Sequence, residues 1–450
     1  MAALKNRPPE ETMTGIATST LTAQTEQAYR KVVNSWAMYD WANSAFATTV
    51  MAAVLPVYYS QVAGATLTGN LATVYWGYTS TVALLITALL APILGAIADF
   101  SGAKKRFLAS FAALGIVFTA LLYFVTTGDW LLASLFFILG NVGFAASDLF
   151  YNSLLPHVAR PKDIDQVSTR GYAFGYLGGG ILLAINVAMI QLMADGELAA
   201  RLSFVSVAVW WAVFTLPLLR NVQEPPGASA GSERVNPLLA GFRRLNATFH
   251  EVRRYRQLLI FLIAFWIYND GIGTIIKMAT IYGAEIGIGQ TALIGALLMT
   301  QFVGIPFSFA FGWLAGRLGT KRSIYLGLAV YTLISIGGFF MRTALHFWIL
   351  AFLVGTVQGG AQALSRSLFG AMTPKAKTAE FFGFYGMSSK FAGIVGPLLF
   401  AVVGQIAGSS RLSIVSLIVF FIVGGFLLSR VDEAEGIRLA QEEDAASSLA

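Results

Sequence analysis

Gly95-Ala-Ile-Ala-Asp99-Phe-Ser-Gly102-Ala-Lys104-Lys105-Arg106 and Gly312-Trp-Leu-Ala-Gly316-Arg317-Leu-Gly319-Thr-Lys321-Arg322 are two copies of one pattern. Each copy ends a long apolar run with a glycine turn and a group of cations. A pattern that returns after so long an interval marks an internal repeat, not a local accident. Gly95 allows two helices to approach closely. Asp99 can accept hydrogen bonds at a helix end or pair with Lys104, Lys105 or Arg106, and such a cluster would latch helix ends together in one conformation. The bland reading is a basic loop that only fixes topology. The second copy has Gly316 where the first has Asp99, so any latch is expected to be asymmetric.

The surrounding chain supports a membrane setting. It has 450 residues, 56% of them hydrophobic and 12% charged, with a mean hydropathy of +0.68. A soluble domain carries about 25% charged residues, so a soluble enzyme, a disordered chain and a nucleic-acid-binding domain are excluded as the main reading. The chain has no cysteine, which removes thiol catalysis, Cys-ligated zinc and disulfide scaffolds. Apolar runs fall at 36–60, 73–98, 107–127, 130–155, 168–193, 198–219, 258–283, 291–315, 323–341, 345–370, 380–406 and 410–429. Each is long enough for a membrane helix of about 20 residues. The expected fold is an all-α integral membrane protein of twelve transmembrane helices in two six-helix halves.

The expected organisation is an N-terminal tail (1–35), a first half (36–219), a linker (220–257), a second half (258–429) and an acidic tail (430–450). The N-terminal tail is polar, reads as unstructured and shows no cleavable signal peptide. The linker carries Leu238, Phe242, Leu245, Phe249 and Val252 at helical spacing, interleaved with arginines. That is a basic amphipathic helix suited to the membrane surface, or to a partner. Of the 30 Lys and Arg, 24 fall on the side that holds both termini and 3 on the other. The positive-inside rule therefore places both termini in the cytoplasm.

The remaining three cations, Lys277, Arg366 and Lys390, lie inside spans together with Asp40, Asp148 and Asp270. Intramembrane charge costs at least about 2.5–3.5 kcal/mol per central residue, so it marks candidate sites. Asp40 and Asp148 are expected at similar depth, with Arg366 as their counter-ion. The alternative is structural ion pairs or residues that snorkel to the interface. Tyr39, Trp41, Asn43, Asn152, Trp266, Tyr268, Asn269, Gln358 and Gln362 crowd the same spans. Trp36, Trp76, Trp130, Trp313 and Trp348 sit at span ends and read as an interfacial belt. Gly171, Gly175 and Gly179, four apart, read as a close-packing face. No Gly-Lys dipeptide occurs, so a phosphate loop with its lysine is not expected. No cofactor or metal is expected, and the three histidines are far apart.

Several motifs carry a resemblance. Tyr39-Asp40-Trp41-Ala42-Asn43-Ser44-Ala45-Phe46, Phe150-Tyr-Asn-Ser-Leu-Leu-Pro156, Ser168-Thr-Arg-Gly-Tyr-Ala-Phe-Gly-Tyr-Leu-Gly-Gly-Gly180, Gln362-Ala-Leu-Ser-Arg-Ser367, Glu380-Phe-Phe-Gly-Phe-Tyr385 and Lys390-Phe-Ala-Gly-Ile-Val-Gly-Pro397 are similar to those of the vacuole-effluxer-like branch of the major facilitator superfamily. The glycine turns resemble that superfamily's signature loop. The branch includes autophagy-related vacuolar amino-acid effluxers of fungi. The resemblance implies a twelve-helix secondary transporter in which spans 1, 4, 7 and 10 line a central cavity and 2, 5, 8 and 11 flank it. The expected function is alternating-access transport of a small polar solute, with amino-acid-type export and a coupling proton as the finer expectation. The candidate substrate or ion residues are Tyr39, Asp40, Trp41, Asn43, Asp148, Asn152, Tyr268, Asn269, Asp270, Lys277, Gln358, Gln362, Arg366 and Lys390. The candidate gating residues are Gly95, Asp99, Gly102, Lys105, Arg106, Gly312, Arg317, Gly319 and Arg322. The alternatives are a sugar or amphipathic drug or lipid facilitator, a sensor, and a lipid scramblase. The expected partners are the small-molecule substrate and the bilayer, with no nucleic acid, in a monomer of the bacterial inner membrane.

Overall fold

The computed structural model describes residues 11–68, 71–227, 255–391, 395–407 and 409–449. Among them the chain is helical throughout, with no strand. The principal helices are α1 (Glu11–Ala45), α2 (Leu71–Ser101), α3 (Lys104–Leu121), α4 (Trp130–Ser153), α5 (Ile164–Leu192) and α6 (Gly196–Asn221). There follow α7 (Arg256–Glu285), α8 (Gln290–Leu318), α9 (Thr320–Phe339) and α10 (Ala344–Ala371). Then come α11 in two parts (Thr378–Phe391 and Val395–Ala407), α12 in two parts (Ser410–Ser416 and Ile418–Ser429) and α13 (Glu433–Leu449). Among the described residues eleven helices are long and apolar enough to cross a membrane, and Val395–Ala407 is a shorter apolar helix. With Thr378–Phe391 it fills the place of the expected eleventh span. The amphipathic helix expected around 238–252 lies outside the described residues.

Local chemistry fixes the ends. Gly102 (φ +60°) and Gly319 (φ +90°) adopt the left-handed conformation between α2 and α3 and between α8 and α9, where a side chain would be strained. The repeated glycine turn therefore has a backbone cause. Asp195 caps α6 by accepting the Leu198 amide at 2.9 Å, and Thr343 accepts the His346 amide at the start of α10. Beyond Ala45, α1 continues through wider π turns at Phe46–Val54 and Tyr59–Ala63. Pro56 lies between these stretches and lacks the amide that a regular turn needs.

Buried apolar side chains form two clusters. One is drawn from residues between Val33 and Val222 together with Ala379, the other from residues between Tyr255 and Val431. The helix pairs α2–α11 and α5–α8 cross between them. The glycine face of α5 packs on α1, as its spacing predicts. A Cβ at Gly175 would fall 2.7 Å from Ser44 Oγ, and one at Gly179 would fall 3.0 Å from a Thr48 methyl.

The N-terminal tail differs from expectation, and the C-terminal tail is a docked helix. Helix α1 begins at Glu11, within the segment read as unstructured. Its Glu26 pairs with Arg160 at 2.9 Å, and the Tyr29 hydroxyl donates to Asp163 at 3.1 Å. Helix α13 docks through Glu443 on Lys377 (3.2 Å) and Tyr255, and through Asp444 on the Lys375 amide (2.7 Å). Basic loops thus give these polar segments partners that their own sequences do not contain.

Candidate functional site

A cavity of about 200 Å³ lies between the two halves. Thr87, Ala91, Ala145, Asp148, Leu149, Asn152 and Tyr172 line it from the first half, and Phe265, Asn269, Gln362, Arg366, Phe382, Tyr385 and Gly386 from the second. The wall combines one cation, one carboxylate, three side-chain amides and an aromatic patch.

Arg366 on α10 organises the floor and is 2% exposed. It reaches into the other half. Nη1 donates to Asp40 Oδ2 at 3.3 Å and to Asn152 Oδ1 at 3.0 Å; Nε donates to Ser168 Oγ at 2.9 Å; Nη2 donates to the Ser168 carbonyl at 2.7 Å. The Tyr151 hydroxyl donates to the same Asp40 oxygen at 2.7 Å. Asn152 Nδ2 donates to Asp148 Oδ2 at 2.9 Å, which ties the second carboxylate to the network. The guanidinium also lies over the rings of Tyr172 (4.5 Å), Trp36 (5.1 Å) and Tyr151 (5.5 Å). Gly171 makes room for all of this. A Cβ there would fall 2.6 Å from Asp40 Oδ2 and 2.9 Å from Arg366 Nη2. A guanidinium has five N–H groups, and the contacts named here use four of them, so one remains for a solute acceptor.

A second cluster lies at the Lys/Arg-rich end of the bundle. Asp99 Oδ1 pairs with Lys104 Nζ at 2.8 Å, with both side chains buried. Asp99 Oδ2 accepts the Glu380 amide at 2.7 Å and so caps the start of α11 across the interface. Lys104 Nζ also donates to Thr378 Oγ1 at 2.6 Å and meets His157 Nε2 at 3.1 Å. An ammonium has only hydrogens to give, so His157 Nε2 accepts. Gly95 allows the approach. A Cβ there would collide with the Ala379 carbonyl and fall 2.9 Å from Glu380 Cα. The other copy of the turn uses different chemistry. Thr320 Oγ1 donates to Asp165 Oδ2 at 2.7 Å, and Ser367 Oγ donates to Asp165 Oδ1. A Cβ at Gly312 would collide with the Thr169 hydroxyl, and Lys321 turns away to the Ser429 and Val431 carbonyls. One copy of the turn is held by a buried ion pair and the other by a carboxylate that accepts from hydroxyls.

Of the expected site residues, Asp148, Asn152, Asn269, Gln362 and Arg366 line the cavity, and Asp40 stands directly behind Arg366. Others lie elsewhere. Tyr39 is buried against Tyr151, with ring centroids 5.1 Å apart. Trp41 stacks on Trp210 (5.6 Å) and faces α6. Asn43 is buried outside the cavity lining. The Tyr268 hydroxyl bonds Ser365 Oγ at 2.6 Å within the second half. Gln358 lines a separate apolar cavity of about 100 Å³. Asp270 is buried beside the second part of α11, and Lys277 is exposed two turns further along α7. The Lys390 side chain lies outside the described residues. Of the gating set, Lys105 and Arg106 give their amides to Glu224, at 2.8 and 3.3 Å, and leave Asp99 to Lys104. Arg317 covers the Trp313 ring at 4.1 Å, and Arg322 is exposed. Trp36 corrects the belt reading. It is fully buried, stacks on Tyr151 at 4.4 Å and donates to the Tyr151 carbonyl. An arginine over its face explains why an indole belongs there.

Sequence reasoning offered Lys104 only as one of three possible partners of Asp99 and left it out of the gating set, and it missed His157, Asp165, Ser168, Tyr172, Glu380 and Tyr385. Four of these stand in the quoted motifs as Ser168, Tyr172, Glu380 and Tyr385. Glu380 is fully buried at the very start of its span, and its place at the boundary hid it from the count of intramembrane charge.

The model of the vacuole effluxer Atg22-like family matches residues 68–441. An uncharacterized MFS-type transporter of Bacillus subtilis, YxiO, is 41% identical over 424 residues, covering 92% of this chain and 98% of its own. Autophagy-related protein 22-1 of Penicillium rubens is 24% identical and covers 80% of this chain and 75% of its own. Among solved structures, the proton:xylose symporter XylE bound to 6-bromo-6-deoxy-D-glucose superposes with a TM-score of 0.71 at 12% identity, covering 90% of this chain and 96% of its own. FucP in the outward conformation gives 0.64 at 14% identity, covering 90% and 98%. At those identities the likeness shows the fold alone, and that fold is the major facilitator fold. The chain belongs to the vacuole effluxer Atg22-like family, a membrane-transporter family of the major facilitator superfamily.

Proposed function

We propose that this protein moves a small polar solute, of amino-acid type, across the membrane by alternating access, driven by an ion gradient. The observation that carries the reading is the cavity between the halves, where Arg366 and Asp148 line one volume of about 200 Å³. A zwitterion needs both an anion partner and a cation partner in a water-poor site. The remaining Arg366 N–H would take the solute carboxylate, and Asp148 the ammonium. Drug-sized ligands occupy pockets of about 300–1,000 Å³, so the volume favours a small solute over an amphipathic drug or lipid. Asn152, Asn269 and Gln362 give a sugar some support as the second reading.

In this account the two latches seal the Lys/Arg-rich end while the solute site is reached from the opposite face. Their release, with closure of the opposite face, exposes the site to the other side. The 24-to-3 cation bias supports a cytoplasmic position for the latched end and for both termini. With the bacterial relative, it supports a bacterial inner membrane as the location. The protein acts as a monomer.

A thermal-shift screen of the purified protein tests the solute class with amino acids, sugars, nucleosides and amphipathic drugs. A true ligand raises the transition in a saturable way. Stabilisation by amino acids that vanishes in Arg366→Ala supports the reading. Stabilisation by sugars alone replaces the substrate class.

A further inference from the structure

Asp270 stands apart from the solute cavity and is 1% exposed. Its Oδ2 accepts the Gly396 amide of α11 at 2.9 Å. Its Oδ1 is buried as well. One turn along α7, Thr274 Oγ1 donates to the Asp270 carbonyl at 2.7 Å. The same hydroxyl and the Val395 amide also lie within hydrogen-bonding reach of the carboxyl. Both groups crowd Gly396. A Cβ there would fall 2.7 Å from Asp270 Oδ1 and collide with Thr274 Oγ1. Lys277, two turns along the same helix, is a charged group that acts on the carboxyl. Next to Asp270, α12 presents Phe420 and Phe421 to Gly271, and α10 presents Ser365 to Tyr268. On α11, Lys390 stands six residues before Gly396, with its side chain outside the described residues.

A carboxyl this deeply buried, with no salt-bridge partner among the described residues, is costly to keep as an anion. We propose that Asp270 Oδ1 is the binding site of the coupling proton, an assignment that rests on the transporter reading above. The proton arrives from water, forms an O–H bond at Oδ1 and bridges to Thr274 Oγ1. Its departure restores an anion that holds the Gly396 amide more tightly. The site thereby ties proton occupancy to α11, whose Phe382, Tyr385 and Gly386 line the solute cavity. Asp40 is unsuited to this work, because Arg366 and Tyr151 already supply hydrogens to its inner oxygen.

Infrared difference spectra between acid and neutral pH test the assignment without a known solute. They are recorded on purified protein in sodium chloride and in choline chloride. The expected result is a carboxylic-acid C=O band in the wild type and in Asp40→Asn that is lost in Asp270→Asn and is the same in both salts. Asp270→Glu should restore a band at a shifted frequency, and size-exclusion profiles establish that each variant is folded. A band that survives in Asp270→Asn overturns the assignment. So does a signal that follows sodium at constant pH, which would make the site a cation site. Solute flux in the same preparations separates the two claims: flux without a titrating Asp270 overturns this inference alone, and absence of flux overturns the transporter reading.

Discussion

Breaking the Asp99–Lys104 pair should open the latched end. In Lys104→Met the Asp99 carboxylate stays buried with the Glu380 amide as its remaining hydrogen-bond donor. Removing one partner of a buried pair costs about 3–5 kcal/mol. In Asp99→Asn the Glu380 cap can persist, and Lys104 keeps Thr378, His157 and the Lys375 carbonyl. The loss there is one charged hydrogen bond, about 1.5–3 kcal/mol. The double variant has no buried charge left at this pair, so the two effects should not add, with a coupling of at least about 1.5 kcal/mol. The pair joins the α2–α3 turn to α11, so most of the loss falls on the closed state. At about 1.4 kcal/mol per tenfold, a 3 kcal/mol loss multiplies the open-to-closed ratio by about 100. The chain has no native cysteine, so Ala145→Cys on the cavity wall gives a clean reporter. Its maleimide labelling from the Lys/Arg-rich side should rise about 100-fold in Lys104→Met and far less in the double variant. Labelling within about twofold of the parent in both single variants, or strictly additive effects, would refute the latch.

Gly95→Val should also prevent closure, because even a Cβ collides with the Ala379 backbone; the same reporter should label faster, with the protein still monodisperse. Tyr151→Phe removes the 2.7 Å hydrogen bond to Asp40 and should cost about 1–2 kcal/mol of thermal stability, measured by unfolding in detergent. Burial would lower the Lys377 pKa, but the Tyr255 hydroxyl and Glu443 outweigh it and hold the ammonium above its usual range. A raised cation contributes stability that is fully present below its ordinary pKa and is lost as pH rises through the folded value. Hydrogen-exchange protection of α13 should therefore hold at neutral pH, fall at strongly alkaline pH, and fall at neutral pH in Lys377→Met.

Much of the architecture was legible because membrane folding leaves a simple record. The apolar runs give the spans, and the duplicated glycine turn gives the repeat. Intramembrane charge is costly enough that Asp40, Asp148 and Arg366 stood out and proved to be neighbours. Finer choices were hidden for physical reasons. Lys104, Lys105 and Arg106 are equivalent as text, and only the helix start at Lys104 decides which one points inward. Trp36 looked interfacial from its position in the run, yet an arginine from nine helices later draws it inside. Gln358 and Gln362 are one turn apart, but the groups around them place one in each cavity. Helix α13 reads as a polar tail because the basic loop that holds it lies far away in the chain.

The most direct test of the central claim is solute flux in proteoliposomes, using the solute that stabilises the purified protein. The account predicts saturable uptake with counterflow that falls at least about tenfold in both Arg366→Ala and Asp148→Asn, while each variant remains folded. Flux unchanged in both variants, or movement of labelled lipid with no solute flux at all, would contradict it.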